Sequence, residues 1–239
     1  MSIRVGTSGF SYVEWKGSFY PEKLPQKKML SYYAERFSAV EINATFYRMP
    51  KPTLLEGWQK EVPADFTFVL KAPHYVAQAN PQRAEEMQQA KEAFCAVART
   101  LGSRLGPLLF QLPPHMKKDL PRLAAFLSTL PRPAPAVMEF GDPSWFSDDV
   151  YALLAEQDVA VCTVDSEGTE GGAAPLVKTA RHGYLRLRKV DYSTRDIDGW
   201  AKKIQKVGWA STHVFFKHED AGTGPVLARK LLDALGQTR

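Results

Sequence analysis

Short apolar runs recur eight times along this chain of 239 residues, and most end on a polar or charged side chain. They cover residues 3–7, 40–43, 67–71, 108–111, 137–140, 159–165, 184–187 and 213–217. Runs this short and this apolar are what strands buried on both faces require. Between them the period changes to that of a helix. Met87, Ala90, Phe94, Val97 and Leu101 recur on one face after Asn80-Pro81, where Asn caps and Pro takes the first helical position. Met29, Leu30, Tyr33 and Phe37 mark a second helix, residues 120–130 a third, and Ser147 with Asp148 and Asp149 opens a fourth. Ile197, Trp200, Ala201 and Ile204 share a face, and Gly224-Pro225 starts a helix running through Leu231, Leu232 and Leu235. Residues 167–175 are rich in Gly and Ala and predict only a short helix or an irregular loop.

Eight strand and helix units of about thirty residues predict an α/β fold, a TIM-barrel-like (β/α)8 barrel forming one domain over residues 1–239. An open doubly wound sheet would use the same alternation. Two features weigh against it: polar ends occur on nearly every strand, and no Gly-x-Gly-x-x-Gly follows the first. Prolines at 107, 113, 114, 131, 133 and 135 fall at the ends of proposed elements and punctuate units.

Composition narrows the class. A hydrophobic content of 44% supports one large core. Cys95 and Cys162 read as small buried hydrophobes in a reducing compartment. The start lacks a basic region followed by an apolar stretch, and no run approaches the ~18 apolar residues of a membrane span. A cytosolic protein without membrane contact is expected. The net charge of +5 is unevenly placed, with 12 basic against 6 acidic residues from Arg181 onward and 19 against 20 before it. That last quarter suits a phosphate or a nucleic-acid backbone, or else solvated helix faces bearing Lys202, Lys203 and Lys206.

In a barrel of this kind chemistry sits where the strands end. Glu41, Asn43 and Thr45 are spaced by two, so while the strand stays extended they face one side. Glu139 and Asp165 each end an apolar strand, and carboxylates there need a partner or a ligand. The candidate catalytic set is Glu41, Glu139, Lys71 and Asp165. Two of its carboxylates would divide acid and base roles, or with a third bind a divalent cation. No cofactor is assigned. Lys71 and Arg186, with Lys217 and His218 after the eighth strand, suit a phosphate, carboxylate or oxyanion, or close the barrel by ion pairs. Gln111 ends the fourth strand. Gly222, Thr223 and Gly224 join the eighth strand to a helix, a position where backbone amides bind phosphate, although the loop lacks the Gly-Lys-Ser/Thr of a Walker motif. Thr7, Tyr12, Trp15, Tyr47 and Arg48 supply hydroxyl, stacking and cationic groups to the expected ligand surface, or the aromatics form a packed lid.

Ordered blocks of residues resemble the YecE-like family, known as domain of unknown function 72. They are Gly6-Thr7-Ser8-Gly9 with Tyr12, Trp15, Gly17 and Phe19-Tyr20-Pro21, then Val40-Glu41-Ile42-Asn43 with Thr45-Phe46-Tyr47-Arg48 and Pro50. Lys71-Ala72, Phe110-Gln111-Leu112-Pro113-Pro114, Glu139-Phe140 with Ser144-Trp145, and Tyr192-Ser193 complete the set. The resemblance spans essentially the whole chain and implies a TIM-barrel-like fold, but brings no established reaction. Gly141-Asp142, Arg188-Lys189 and Lys217-His218 depart from the family's usual Arg-His, His-Gly and Asn-Asn pairs and move charge at the expected mouth. The family is similar in barrel shape to endonuclease IV, but the five scattered histidines do not suit a three-zinc site.

Two functions follow as expectations. The first is an enzyme acting on a phosphorylated or otherwise anionic small molecule, with Glu41 or Glu139 as acid/base and Lys71 and Arg186 stabilising negative charge. The second is a non-catalytic nucleic-acid-binding barrel using Arg186, Arg188 and Lys189 for phosphates and Tyr12, Trp15 or Tyr47 for stacking. The oligomeric partner stays unassigned.

Overall fold

A computed structural model describes residues 1–77, 84–132, 134–167, 174–218 and 220–239. Its eight strands are β1 (Ser2–Thr7), β2 (Ala39–Ile42), β3 (Thr67–Lys71), β4 (Leu105–Gln111), β5 (Ala136–Glu139), β6 (Ala160–Asp165), β7 (His182–Leu187) and β8 (Ser211–Phe216). All pair in parallel, in the order β1-β8-β7-β6-β5-β4-β3-β2. The seam between β1 and β2 is closed by a single bridge from Ser8 to Glu41, where the Gly9 amide donates to the Glu41 carbonyl at 2.8 Å. Gly6 permits this approach, since a Cβ there would lie 2.0 Å from the Ala39 carbonyl oxygen. The eight expected strands are thus present and form a TIM barrel.

The helices are α1 (Met29–Ala34), α2 (Ala44–Tyr47), α3 (Pro52–Glu61), α4 (His74–Ala77), α5 (Ala84–Ala98), α6 (Leu120–Ser128), α7 (Asp148–Glu156), α8 (Thr194–Val207) and α9 (Thr223–Ala234). Local chemistry sets their ends. Asp119 caps α6 by accepting from the Arg122 amide, and Ser193 with Asp196 forms a reciprocal capping box on α8, which stops at left-handed Gly208. The sequence pattern overlooks α3 because Leu55 is its one buried residue, so little apolar period marks it. The Asn80-Pro81 boundary expected for α5 lies outside the described residues. No helix occurs between β6 and β7 among the described residues, where Ala174 instead bridges antiparallel to Val164. Most of the Gly- and Ala-rich stretch, residues 168–173, is also outside them.

Alternation along each strand divides the core in two. Ile3, Val5, Ile42, Phe68, Leu70, Leu108, Phe110 and Met138 face the helices. Ala39, Val69, Leu109, Val137, Cys162, Val164, Tyr184 and Phe215 fill the barrel interior as a separate cluster. Cys95 and Cys162 are both buried thiols without a disulfide. Among the described residues no helix is long and apolar enough to cross a membrane.

Candidate functional site

Counting by twos from the interior residues identifies the side chains that enter the barrel at its C-terminal end. Ala39 leads to Glu41 and Asn43, Val69 to Lys71, Leu109 to Gln111, Val137 to Glu139, and Tyr184 to Arg186 and Arg188. On β1 the same side holds Gly6 and Ser8.

These residues meet around the Arg186 guanidinium, whose side chain is 2% exposed. Nη2 donates to Glu41 Oε1 and Nη1 to Glu139 Oε2, both at 2.7 Å, and Nη2 lies 3.4 Å from Asn43 Oδ1. Glu41 also accepts from Ser8 Oγ and from the Tyr184 hydroxyl, each at 2.6 Å. Glu139 accepts on its other oxygen from Arg188 Nη2 at 2.8 Å and Gln111 Nε2 at 3.2 Å. Buried ionic groups survive when their hydrogen-bonding capacity is filled in this way. Burial works against a charged Arg186, but Glu139 and Glu41 more than reverse the effect and raise its pKa above the ordinary value. Burial, then the Glu41 carboxylate, push the Tyr184 phenol well up, so it remains a donor.

Lys71 is the cation left over. It is 7% exposed, and among the described residues its Nζ takes no part in the ion pairs that Arg186 and Arg188 make with Glu41 and Glu139 and makes no hydrogen bond of its own. Nζ instead sits 4.0 Å from the centre of the Phe46 ring. Burial chiefly lowers its pKa, helped by the Arg186 charge and opposed by Glu139 and Glu41. Its backbone is fixed by Thr45, whose hydroxyl lies 2.6 Å from the Lys71 carbonyl.

The expected site therefore needs correcting at several positions. Asp165 has the opposite parity from Cys162 and Val164, so it leaves the barrel on the helix side and accepts from Trp200 Nε1 of α8 at 3.0 Å. Thr7 likewise points outward, and its amide and hydroxyl both meet the Tyr33 hydroxyl of α1. Trp15 is fully buried among Tyr12, Phe19 and Tyr20, so it offers no stacking face. Tyr12 is half-buried and donates to the Ser8 carbonyl. Gly222 and Gly224 are buried by close packing: a Cβ on the first would lie 2.4 Å from Ser18 Oγ and on the second 2.9 Å from the His218 carbonyl. This packing accounts for both glycines without a ligand. Thr223 begins α9, its amide bonded to the Asp220 carbonyl. Tyr47, Arg48 and Lys217 are exposed and belong to the rim rather than to the cluster.

The arrangement also bears on metals and nucleic acids. With Asp165 outside and Arg186 between Glu41 and Glu139, the expected carboxylate set does not converge on a cation. Among the described residues no three His, Cys, Asp or Glu side chains are placed to hold one. For nucleic acid, Arg186 is buried, Arg188 is engaged by Glu139 and Lys189 pairs with Glu167, leaving little of the proposed phosphate surface unpaired. Sequence spacing did not single out Ser8 or Tyr184, and it treated Arg188 as surface charge. Their signal was parity, since Ser8 lies two beyond Gly6, and Tyr184 and Arg188 lie two either side of Arg186.

Comparison with known proteins extends the likeness beyond these residues. The UPF0759 protein YunF of Bacillus subtilis is 29% identical over 230 residues, covering 90% of this chain and 78% of YunF. The crystal structure of a DUF72 family protein (TM1631) from Thermotoga maritima has a TM-score of 0.81 at 22% identity, covering 99% of this chain and all of that one. The 3-keto-D-glucoside 4-epimerase YcjR of E. coli shares the fold at a TM-score of 0.56 and 12% identity, covering 98% of each chain. Residues 4–239 match the family described as protein of unknown function DUF72, and to that family the chain belongs.

Proposed function

We propose that this barrel is an enzyme that binds an anionic small molecule, phosphorylated or carboxylated, at the C-terminal ends of its strands. One observation carries the reading: two carboxylates meet three cations, and the unmatched one is Lys71. In a site screened from bulk water an unpaired cation attracts an anionic group more strongly than it would at the surface. Arg188, with its side chain 19% exposed, is the second group within reach of a ligand, and Asn43 offers an amide.

The two carboxylates take different roles. Glu41 is sealed, with both oxygens engaged by Ser8, Tyr184 and Arg186, and it orients the guanidinium. Glu139 is held on one oxygen by Arg188 and Gln111, which lie toward the mouth. A ligand anion that draws Arg188 away would leave that oxygen with Gln111 alone and a lone pair open to a proton, so Glu139 is the acid/base group. The likeness to the epimerase concerns the fold and does not transfer its reaction.

The test is a thermal-shift and turnover screen of phosphorylated and carboxylated metabolites against the parent, Lys71→Met and Glu139→Gln. Ligands should stabilise the parent and lose most of that effect in Lys71→Met, while Glu139→Gln should bind and fail to turn over. Stabilisation equal in parent and Lys71→Met would remove the anion site from this end of the barrel.

A further inference from the structure

We propose that Lys71 is a nucleophile whose Nζ condenses with the carbonyl carbon of an anionic aldehyde or ketone to form a Schiff base. The inference rests on the reading that an anionic small molecule enters this mouth, and it names the reacting atom and the class of substrate.

The geometry is that of an amine kept free. Glu41 and Glu139 are near enough to act on the Lys71 charge, and a structural lysine would be expected to pair with one of them. Instead Arg186 and Arg188 occupy them, with four charge-assisted or amide donors on Glu139 and Glu41 from Arg186, Arg188 and Gln111 alone. Nζ rests on the Phe46 ring face, which positions it without engaging a lone pair. The Thr45 hydroxyl holds the strand end from behind. Imine formation needs the unprotonated amine, and desolvation beside another cation is an established way to provide it. The charged groups acting on Nζ are Arg186 from β7 and Lys217 after β8, which favour the amine, and Glu139 from β5 and Glu41 from β2, which favour the ammonium.

The step balances without a redox partner. The amine lone pair attacks the carbonyl carbon, the C–N bond forms, and the oxygen takes a proton to give a carbinolamine. Loss of that oxygen as water leaves a protonated C=N bond. Overall, one ammonium and one carbonyl give one iminium and one water. Glu139 is the group able to relay the proton between nitrogen and oxygen. The Lys71 ammonium, before losing its proton, and Arg188 attract the substrate's anionic group.

The probe is pyridoxal 5′-phosphate, an anionic aldehyde, added in limited amount with cyanoborohydride and followed by residue-resolved mass spectrometry. Lys71 should be modified faster than the exposed Lys202 and Lys203, because its lowered pKa raises the reactive amine fraction at neutral pH. Its rate should also level off at lower pH than theirs. Lys71→Arg should abolish the fast phase and leave the surface phase. Labelling of Lys71 no faster than of Lys202 overturns the proposal, even where inorganic phosphate stabilises the parent and the anion site stands. Fast labelling equal for pyridoxal and its phosphate, with no protection by inorganic phosphate, upholds the nucleophile and instead overturns the anion site.

Discussion

Glu41 and Glu139 share one guanidinium, each accepting a hydrogen bond of 2.7 Å from a different terminal nitrogen of Arg186. They lie on β2 and β5, so the guanidinium reaches into the barrel from β7 and ties three separate strands together. Removing it leaves Glu41 buried with only the neutral donors Ser8 and Tyr184, and Glu139 with Arg188 as its one remaining counter-charge. Arg186→Met is therefore expected to cost about 3–5 kcal/mol, measured by urea unfolding. The triple variant with Glu41→Gln and Glu139→Gln should recover much of that loss. A single-variant loss below about 1 kcal/mol would mean that water or rearrangement already compensates the charges.

Asp165 gives the contrasting case. Its carboxylate serves the contact between β6 and α8 through Trp200, so Asp165→Asn should leave ligand binding at the mouth unchanged. The same substitution should reduce stability by about 1 kcal/mol, the difference between a hydrogen bond to a charged and to a neutral acceptor. Calorimetric binding and chemical unfolding on one preparation separate the two effects. A large loss of affinity with stability intact would return Asp165 to the site.

These two residues show what the sequence could and could not reveal. The strands were legible because eight apolar runs were separated by residues that cannot continue a strand. The end of each strand was legible too, but Asp165 and Thr7 were read by their position along the strand and not by the side they face. Parity from Cys162 and Val164 would have turned Asp165 outward. What no spacing could supply is the sharing of Arg186, because Glu41 and Arg186 are 145 residues apart and meet only through barrel closure. Trp15 misled for another reason: aromatic residues look alike in sequence whether they cover a ligand or one another.

Gly6→Ala tests the seam. The added methyl would meet the Ala39 carbonyl oxygen at 2.0 Å, and backbone cannot rotate away as a side chain can. Overpacking of this kind costs roughly 1–3 kcal/mol. A lower melting temperature should accompany weaker ligand binding, because the Ser8 to Glu41 bond crosses the same seam. An unchanged melting temperature would show that β1 and β2 can separate without cost.

His213 should make the protein acid-sensitive above the carboxylate range. It is buried at the opposite end of the barrel interior, with neither ring nitrogen bonded among the described residues. Burial chiefly, with Arg4 and His182, pushes its pKa down to about 3. The unfolded chain takes up a proton near pH 6.5 that the folded one refuses, so stability falls as pH drops from there toward 3. Between pH 7.5 and 5 the expected loss from His213 is ~2 kcal/mol. Urea unfolding at both pH values should give a smaller difference for His213→Phe than for the parent. Equal differences would show that His213 takes up its proton in the native state as readily as in the unfolded chain.

The single bridge between β1 and β2 also governs the order in which the molecule can be made. β1 is synthesised before the other seven strands, yet its hydrogen-bonded neighbour along its full length is β8, the last of the eight to be made. Until β8 arrives, β1 has no strand paired along its length and is held by the seam with β2 and the Thr7 bonds to Tyr33, and closing so long a loop is entropically slow. Pairing with β8 is what fixes the full length of β1, and with it the position of Ser8 against Glu41. The charged centre is completed by the same step that joins the two ends of the barrel, so a nascent chain lacking β8 has the carboxylates but no closed wall around them.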